Sequence, residues 1–80
     1  MTIHFSIKFL NDDLVYHGER DYNVGMSILK NDIPALVKSM KSKLVKKNIE
    51  WGKNLETDIE KFVIYHFEDG EEENLFTYTK

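Results

Sequence analysis

The first residues of the chain alternate strictly between apolar and polar side chains. Four apolar residues fall on one side of an extended backbone: Ile3, Phe5, Ile7 and Phe9. This period of two predicts a half-buried strand. Turn chemistry follows at Asn11-Asp12-Asp13, and Leu14 to His17 resumes a strand pattern, which predicts a first hairpin. Residues 18–25 contain two glycines and fit either an irregular continuation of the strand or a loop.

The middle of the chain has the spacing of an amphipathic helix. Asp32 can cap its first turn, and Pro34 is tolerated there because the first backbone N–H groups lack helical partners. The apolar positions that follow lie on one face: Ile33, Leu36, Val37, Met40 and Leu44. Lysines at 46 and 47 suit the negative end of the helix dipole, and Asn48 can terminate the helix. The predicted helix runs from Ile33 to about Lys47.

A second hairpin pattern closes the chain. Phe62 to Phe67 is dense in aromatic and β-branched residues, Asp69-Gly70 is a turn pair, and Leu75 to Thr79 is again strand-like. Residues 49–61 are harder to interpret, because apolar positions at helical spacing follow a break at Trp51-Gly52. This pattern leaves open a short second helix around 55–61.

The elements together predict one α+β domain over residues 1–80. In the predicted ββαββ order, an antiparallel four-stranded sheet carries one amphipathic helix on one face. The composition agrees, since 41% of the residues are apolar and 31% are charged, as in ordinary globular domains. The absence of cysteine rules out disulfides and thiolate zinc sites.

No apolar run approaches the roughly 20 residues of a membrane helix. The first residues also lack the continuous apolar block of a signal peptide. We therefore expect a cytoplasmic location and no membrane partner.

Charge is segregated along the chain, whose net charge is −3. Residues 30–53 carry seven lysines against two acids, whereas residues 54–80 carry two lysines against eight acids. The lysines on the polar face of the predicted helix are Lys38, Lys41, Lys43 and Lys46. Such a face could bind nucleic-acid phosphates in a salt-dependent way. A solvated helix face is the plainer interpretation, because the sole arginine is Arg20 and the chain is acidic overall.

No sequence motif for catalysis, cofactor binding or metal ligation is present. The chain lacks HExxH, GxSxG, Walker and GxGxxG patterns. Its three histidines, His4, His17 and His66, have no partner at a recognisable ligand spacing. The acidic block 68–73 lacks the alternating pattern of a calcium loop. The sequence therefore predicts a protein that is not an enzyme and uses no cofactor or metal.

The strand predicted over residues 62–67 is apolar on both faces, which is unusual for a two-layer domain. One face carries Phe62, Ile64 and His66, and the other carries Val63, Tyr65 and Phe67. If the helix covers one face, either the segment 48–60 or another chain must cover the second.

These patterns make a protein-binding module the leading hypothesis, such as a small bacterial or phage regulator or inhibitor, with a homodimer left open. The residues predicted to bind a partner are Trp51, Phe62, Ile64, His66, Glu71, Glu72 and Glu73. Tryptophan is frequent in binding hot spots, and the acidic residues could attract a basic surface. The alternative hypothesis is a nucleic-acid-binding protein that presents the lysines of helix 33–47.

Overall fold

Four strands and two helices make up the described part of the protein. The structure, a computed structural model, describes the backbone of residues 1–51 and 57–80, and side chains outside 43–56. The elements are β1 (Thr2–Phe9), β2 (Val15–Asp21), α1 (Met26–Asn31), α2 (Ile33–Trp51), β3 (Ile59–Glu68) and β4 (Glu71–Thr79). The strands form one antiparallel sheet in the order β2-β1-β3-β4. The predicted α+β class and four-stranded sheet are confirmed.

Strand β1 lies inside the sheet, between β2 and β3. Its alternation is reproduced in the burial of its side chains, because every odd residue from Ile3 to Phe9 is buried. The hairpin with β2 extends as far as the pair Thr2 and Asp21. Residues 18–21, for which the sequence allowed either strand or loop, are therefore strand. Beyond the ladder, the backbone N–H of Tyr22 donates to the carbonyl oxygen of Met1 over 2.7 Å.

The second hairpin turns at Asp69 and Gly70, as predicted. Their φ angles are 52° and 81°, and a two-residue turn with both φ values positive is the type I′ turn, whose twist matches that of the flanking strands. Strand β4 begins at Glu71, four residues before the predicted Leu75. The acidic residues 71–73 join the ladder because strand pairing uses backbone groups, which a charged side chain leaves available.

The helical region differs from the prediction in extent. A short helix, α1, precedes the predicted one, and α2 begins at Ile33 as predicted but continues to Trp51. Asp32 caps α2, since its Oδ1 accepts a hydrogen bond from the backbone N–H of Ala35 at 3.1 Å. In the region where a further helix was left open, residues 55 and 56 lie outside the described part of the chain. That option is wrong for the described residues of the range, because residues 57 and 58 form a turn and residues 59–61 belong to β3.

Both helices pack on the same face of the sheet. The buried apolar residues of this inner face and of the helices are Ile3, Phe5, Ile7, Phe9, Leu29, Leu36, Met40, Ile59, Phe62 and Ile64. A polar contact also fixes α2, because the guanidinium of Arg20 donates to the carbonyl oxygen of Ser39 at 3.1 Å and to its hydroxyl at 3.0 Å. The hydroxyl of Tyr22 lies 2.9 Å from the same Ser39 hydroxyl. Among the described helices, none is long and apolar enough to cross a membrane.

Candidate functional site

The face of the sheet opposite the helices is not covered by any described helix. Its two inner strands present His4, Ser6, Lys8, Val63, Tyr65 and Phe67, which we call the outer face. Residues His4 and Tyr65 are direct cross-strand neighbours, as are Ser6 and Val63. The outer face is therefore a continuous surface across the middle of the sheet.

Three aromatic rings form a cluster at one end of the outer face. The rings of His4 and Tyr65 stack with centroids 5.4 Å apart, and Phe67 meets both edge-on, at 5.2 Å from His4 and 5.7 Å from Tyr65. These are favourable stacked and edge-to-face geometries, so each ring restricts the others. The side chain of Phe67 is nevertheless 55% exposed. The aromatic cluster is thus an ordered apolar surface that remains accessible.

Acidic residues flank the aromatic cluster. Glu72 is the cross-strand partner of Phe67 on β4, and Glu19 is the partner of His4 on β2, with Oε2 3.7 Å from Nδ1. The next residue pair along β2 and β1 is Asp21 with Thr2, whose hydroxyl donates to the carboxylate at 2.5 Å. The end of the outer face that carries the aromatic rings is therefore negatively charged.

The opposite end of the outer face carries lysines. Lys8 of β1 and Lys61 of β3 are cross-strand neighbours there, and the ammonium group of Lys8 forms an ion pair with Glu60. Because Glu60 offsets the charge of Lys8, the basic character of this end rests on Lys61, in contrast to the acidic end that carries the aromatic rings. Such a pattern fixes the orientation of a bound partner more than it adds affinity.

The structure corrects the face of β3 that was predicted to bind a partner. Phe62, Ile64 and His66 lie on the inner face, with 1%, 0% and 4% of their surface exposed. They are covered because the helices pack on this side of the sheet. The accessible side of the strand is the one that includes Tyr65 and Phe67, the second apolar face in the sequence, for which no partner contact was predicted.

The other predicted partner-binding residues are divided between different surfaces. Trp51 is the last residue of α2 and not part of a loop, and its side chain lies outside the described part of the structure. Glu72 is on the side of Phe67, whereas Glu71 and Glu73 are paired with Glu68 and His66 and belong to the inner side. The acidic block therefore projects side chains to both sides of the sheet. Of its three residues predicted to bind a partner, Glu72 alone borders the aromatic cluster.

The lysines predicted to contact nucleic acid all lie on α2. Lys38 is exposed and Lys41 is half-buried. The side chains of Lys43 and Lys46 lie outside the described part of the structure. The nucleic-acid hypothesis gains no further contact or geometry from the described residues and stays a prediction.

A second group of polar residues gathers where the inner face ends beside α1. The ammonium group of Lys30 pairs with Oε1 of Glu73, and Nε2 of His66 lies 3.5 Å from Oε2 of the same carboxylate. The hydrogen bond from Lys30 holds the pKa of the Glu73 carboxyl below its ordinary value, and partial desolvation opposes this shift. Glu68 completes the group, with ligand atoms of the three residues His66, Glu68 and Glu73 within 4.8 Å of one another.

This grouping was not predicted from the sequence, although the sequence carries a signal for it. Residues 66 and 68 are two apart on one strand and share a side. A two-residue turn at 69–70 then places residue 73 directly opposite residue 66. The hairpin register alone would have brought His66 and Glu73 together.

Comparison with known proteins adds no family to these observations: no protein-family model, no curated protein and no solved structure matches the chain.

Proposed function

We propose that this protein is a small non-enzymatic protein-binding module whose aromatic cluster, His4, Tyr65 and Phe67, contacts a protein partner. The observation that carries the proposal is the exposure of Phe67 within an ordered ring cluster on a sheet face that no described helix covers. A large aromatic side chain held in place loses little entropy on binding, which is why such residues are frequent in interface hot spots.

The charges around the cluster indicate the chemistry of the partner. Glu19, Asp21 and Glu72 are neighbours of the cluster in the strand register. A partner that inserts an apolar side chain between the rings while presenting lysine or arginine to these carboxylates would satisfy both features. We therefore propose a basic protein surface with an apolar anchor as the occupant, and a regulatory or inhibitory role exerted through this contact.

The affinity test compares variants in which one exposed apolar side chain is removed. Phe67→Ser removes the exposed ring of the aromatic cluster. Ile28→Ser removes an exposed apolar side chain of α1, on the helix side of the sheet. Both variants and the wild type are immobilised, and proteins retained from a lysate of the source cells are quantified by mass spectrometry at low and high salt. Circular dichroism confirms that each variant is folded.

We expect at least one protein that wild type and Ile28→Ser retain equally and Phe67→Ser loses. Removal of a hot-spot side chain typically costs 2 kcal/mol or more, which is about a 30-fold loss of affinity. Retention should weaken as salt rises, because the acidic rim contributes through screened charges. If no retained protein distinguishes Phe67→Ser from Ile28→Ser, the outer face does not bind a protein partner.

A homodimer is a distinct outcome of the same variants. Sedimentation equilibrium of the purified protein would show self-association that Phe67→Ser abolishes and Ile28→Ser leaves intact. In that case the occupant of the outer face is a second copy of this chain, and the proposal of a different, basic partner is overturned.

The remaining expectations from the sequence stay predictions, namely the absence of enzymatic activity and the cytoplasmic location. Nucleic-acid binding by α2 is separated from the proposal by a titration with DNA and RNA at low salt. Binding that falls steeply with salt and persists in Phe67→Ser would favour the lysines of α2 over the outer face.

A further inference from the structure

We propose that His66, Glu68 and Glu73 form a binding site for a divalent transition-metal cation, with Zn²⁺ as the representative probe. The site lies at the end of the inner face next to α1. It uses none of the residues of the aromatic cluster and stands independently of the proposed protein-binding function.

The hairpin brings the three ligands together. His66 and Glu68 project from the same side of β3, and Glu73 lies opposite His66 on β4. One nitrogen and two carboxylate oxygens lie within 4.8 Å of one another. Because a type I′ hairpin has a defined register, the backbone holds these positions before any cation binds.

The imidazole of His66 is the observation that points to a ligand. The residue is 4% exposed, and its Nε2 is buried without a hydrogen-bond partner among the described residues. Its separation of 3.5 Å from Oε2 of Glu73 exceeds the usual hydrogen-bond range of about 2.7–3.2 Å. A buried polar nitrogen that has lost its hydrogen bonds to water without gaining a close partner destabilises the fold, and a bound cation would supply the missing interaction.

The same distance suits a shared cation. Two ligand atoms that each lie about 2.0–2.1 Å from a tetrahedral zinc are about 3.3–3.4 Å apart. The 3.5 Å between Nε2 of His66 and Oε2 of Glu73 is close to this value. A small side-chain adjustment of Glu68, which is exposed, would bring the third ligand into range.

Lys30 positions the Glu73 carboxylate. Its ammonium group pairs with Oε1, which leaves Oε2 directed at His66. Hydrogen bonds to the distal atom of a ligand commonly orient it in metal sites. The two carboxylates also outnumber the single ammonium group, so a divalent cation would be attracted electrostatically.

The site is open on one side. A cleft that reaches His66 and Glu68 is lined by Met1, by Met26, Ser27 and Lys30 of α1, and by Phe67. Three protein ligands leave one tetrahedral position, which water from this cleft would fill. One imidazole with two carboxylates is a ligand set for first-row divalent cations and lacks the all-oxygen character that Ca²⁺ and Mg²⁺ prefer.

The test is a Zn²⁺ titration of the 80-residue protein at neutral pH by isothermal calorimetry, followed by NMR of the histidine imidazoles. Glu68→Gln and Glu73→Gln remove single ligand charges with little change in shape, and His66→Gln removes the nitrogen ligand. Glu72→Gln is the matched control, because it removes a charge from the same hairpin on the other side of the sheet. His17→Gln controls for binding by an exposed histidine.

We expect one Zn²⁺ per chain, a shift of the His66 resonances, and a loss of affinity of more than about tenfold in Glu68→Gln and in Glu73→Gln. Glu72→Gln and His17→Gln should bind as the wild type does. The proposal is overturned if no stoichiometric binding is detected, or if binding survives unchanged in both ligand-charge variants. It is also overturned if His17→Gln reduces binding as much as they do. Phe67→Ser keeps all three proposed ligands, so a loss of partner capture in that variant tests the protein-binding proposal and not the metal site.

Discussion

Gly18→Ala tests how closely the first hairpin packs against the ring of Phe5. Gly18 is the cross-strand partner of Phe5, and the ring lies directly over it. A Cβ atom at position 18 would lie 2.3 Å from Cζ and 2.5 Å from Cε1 of Phe5. Carbon atoms in favourable contact are about 3.5–4.0 Å apart, so the ring would have to move by roughly 1.2 Å or more.

Two opposing effects decide the sign of this substitution. The φ angle of Gly18 is not in the left-handed region, so alanine can adopt the backbone conformation there. Such a substitution would normally stabilise the fold by about 0.4–1 kcal/mol, because it lowers the conformational entropy of the unfolded chain. Against this, the Phe5 ring is 4% exposed and stacks on Phe62 with centroids 6.2 Å apart, which leaves it little room. Overpacking of this kind costs about 1–3 kcal/mol. We expect a net loss of about 1–2 kcal/mol in the free energy of unfolding.

Urea denaturation followed by circular dichroism measures this loss, and the thermal midpoint should fall by about 5–15 °C. Gly25→Ala is the control, because its Cβ would meet no atom closer than the Ser27 hydroxyl oxygen at 4.0 Å. We expect that variant to differ from the wild type by less than about 0.5 kcal/mol, since the entropic gain offsets a weaker helix cap. The same steric clash predicts that Gly18→Ala costs less in a Phe5→Leu background. A Gly18→Ala protein as stable as the wild type would refute it.

Two further predictions concern the second hairpin. Gly70→Ala should lower the free energy of unfolding by about 1 kcal/mol, because the φ of 81° strains any residue with a Cβ, and an unchanged urea midpoint would contradict the type I′ turn. The carboxyl of Glu73 should titrate below the ordinary glutamate pKa by NMR, and Lys30→Gln should raise that pKa. Since the folded-state pKa is the lower one, this pairing stabilises the protein above the ordinary pKa and is lost as the pH falls through the lowered value, so wild type and Lys30→Gln should converge in stability in acid. A Glu73 pKa that Lys30→Gln leaves unchanged would contradict this account.

Local patterns predicted the elements that depend on local physics. The alternation from Ile3 to Phe9 gives one apolar side to β1 in any fold that uses it as a strand. Likewise, Asp69-Gly70 favours positive φ at both positions, and Asp32 can cap a helix that begins at the next residue. Helix α1 was missed because residues 26–31 are too short for a 3.6-residue period to be distinguished from a loop.

Candidate site residues were harder to predict, because the two faces of β3 are similar in sequence. A period of two separates Phe62 and Ile64 from Tyr65 and Phe67, but it does not state which pair meets the helices. The residues predicted to bind a partner were those of the first face, Phe62, Ile64 and His66. In the fold, however, His66 is buried beside Glu73 at the end of the inner face.

The sequence by itself determined the α+β class, both hairpins and the position where α2 begins, since each depends on residues close together in the chain. Tertiary structure decided the pairing of β1 with β3, which joins residues at least 50 positions apart. That pairing and the packing of both helices on one side assign Phe67 to an accessible surface and His66 to a buried one. The physical reason is that burial depends on which surfaces meet, and that choice is made by the whole set of packed elements rather than by either strand alone.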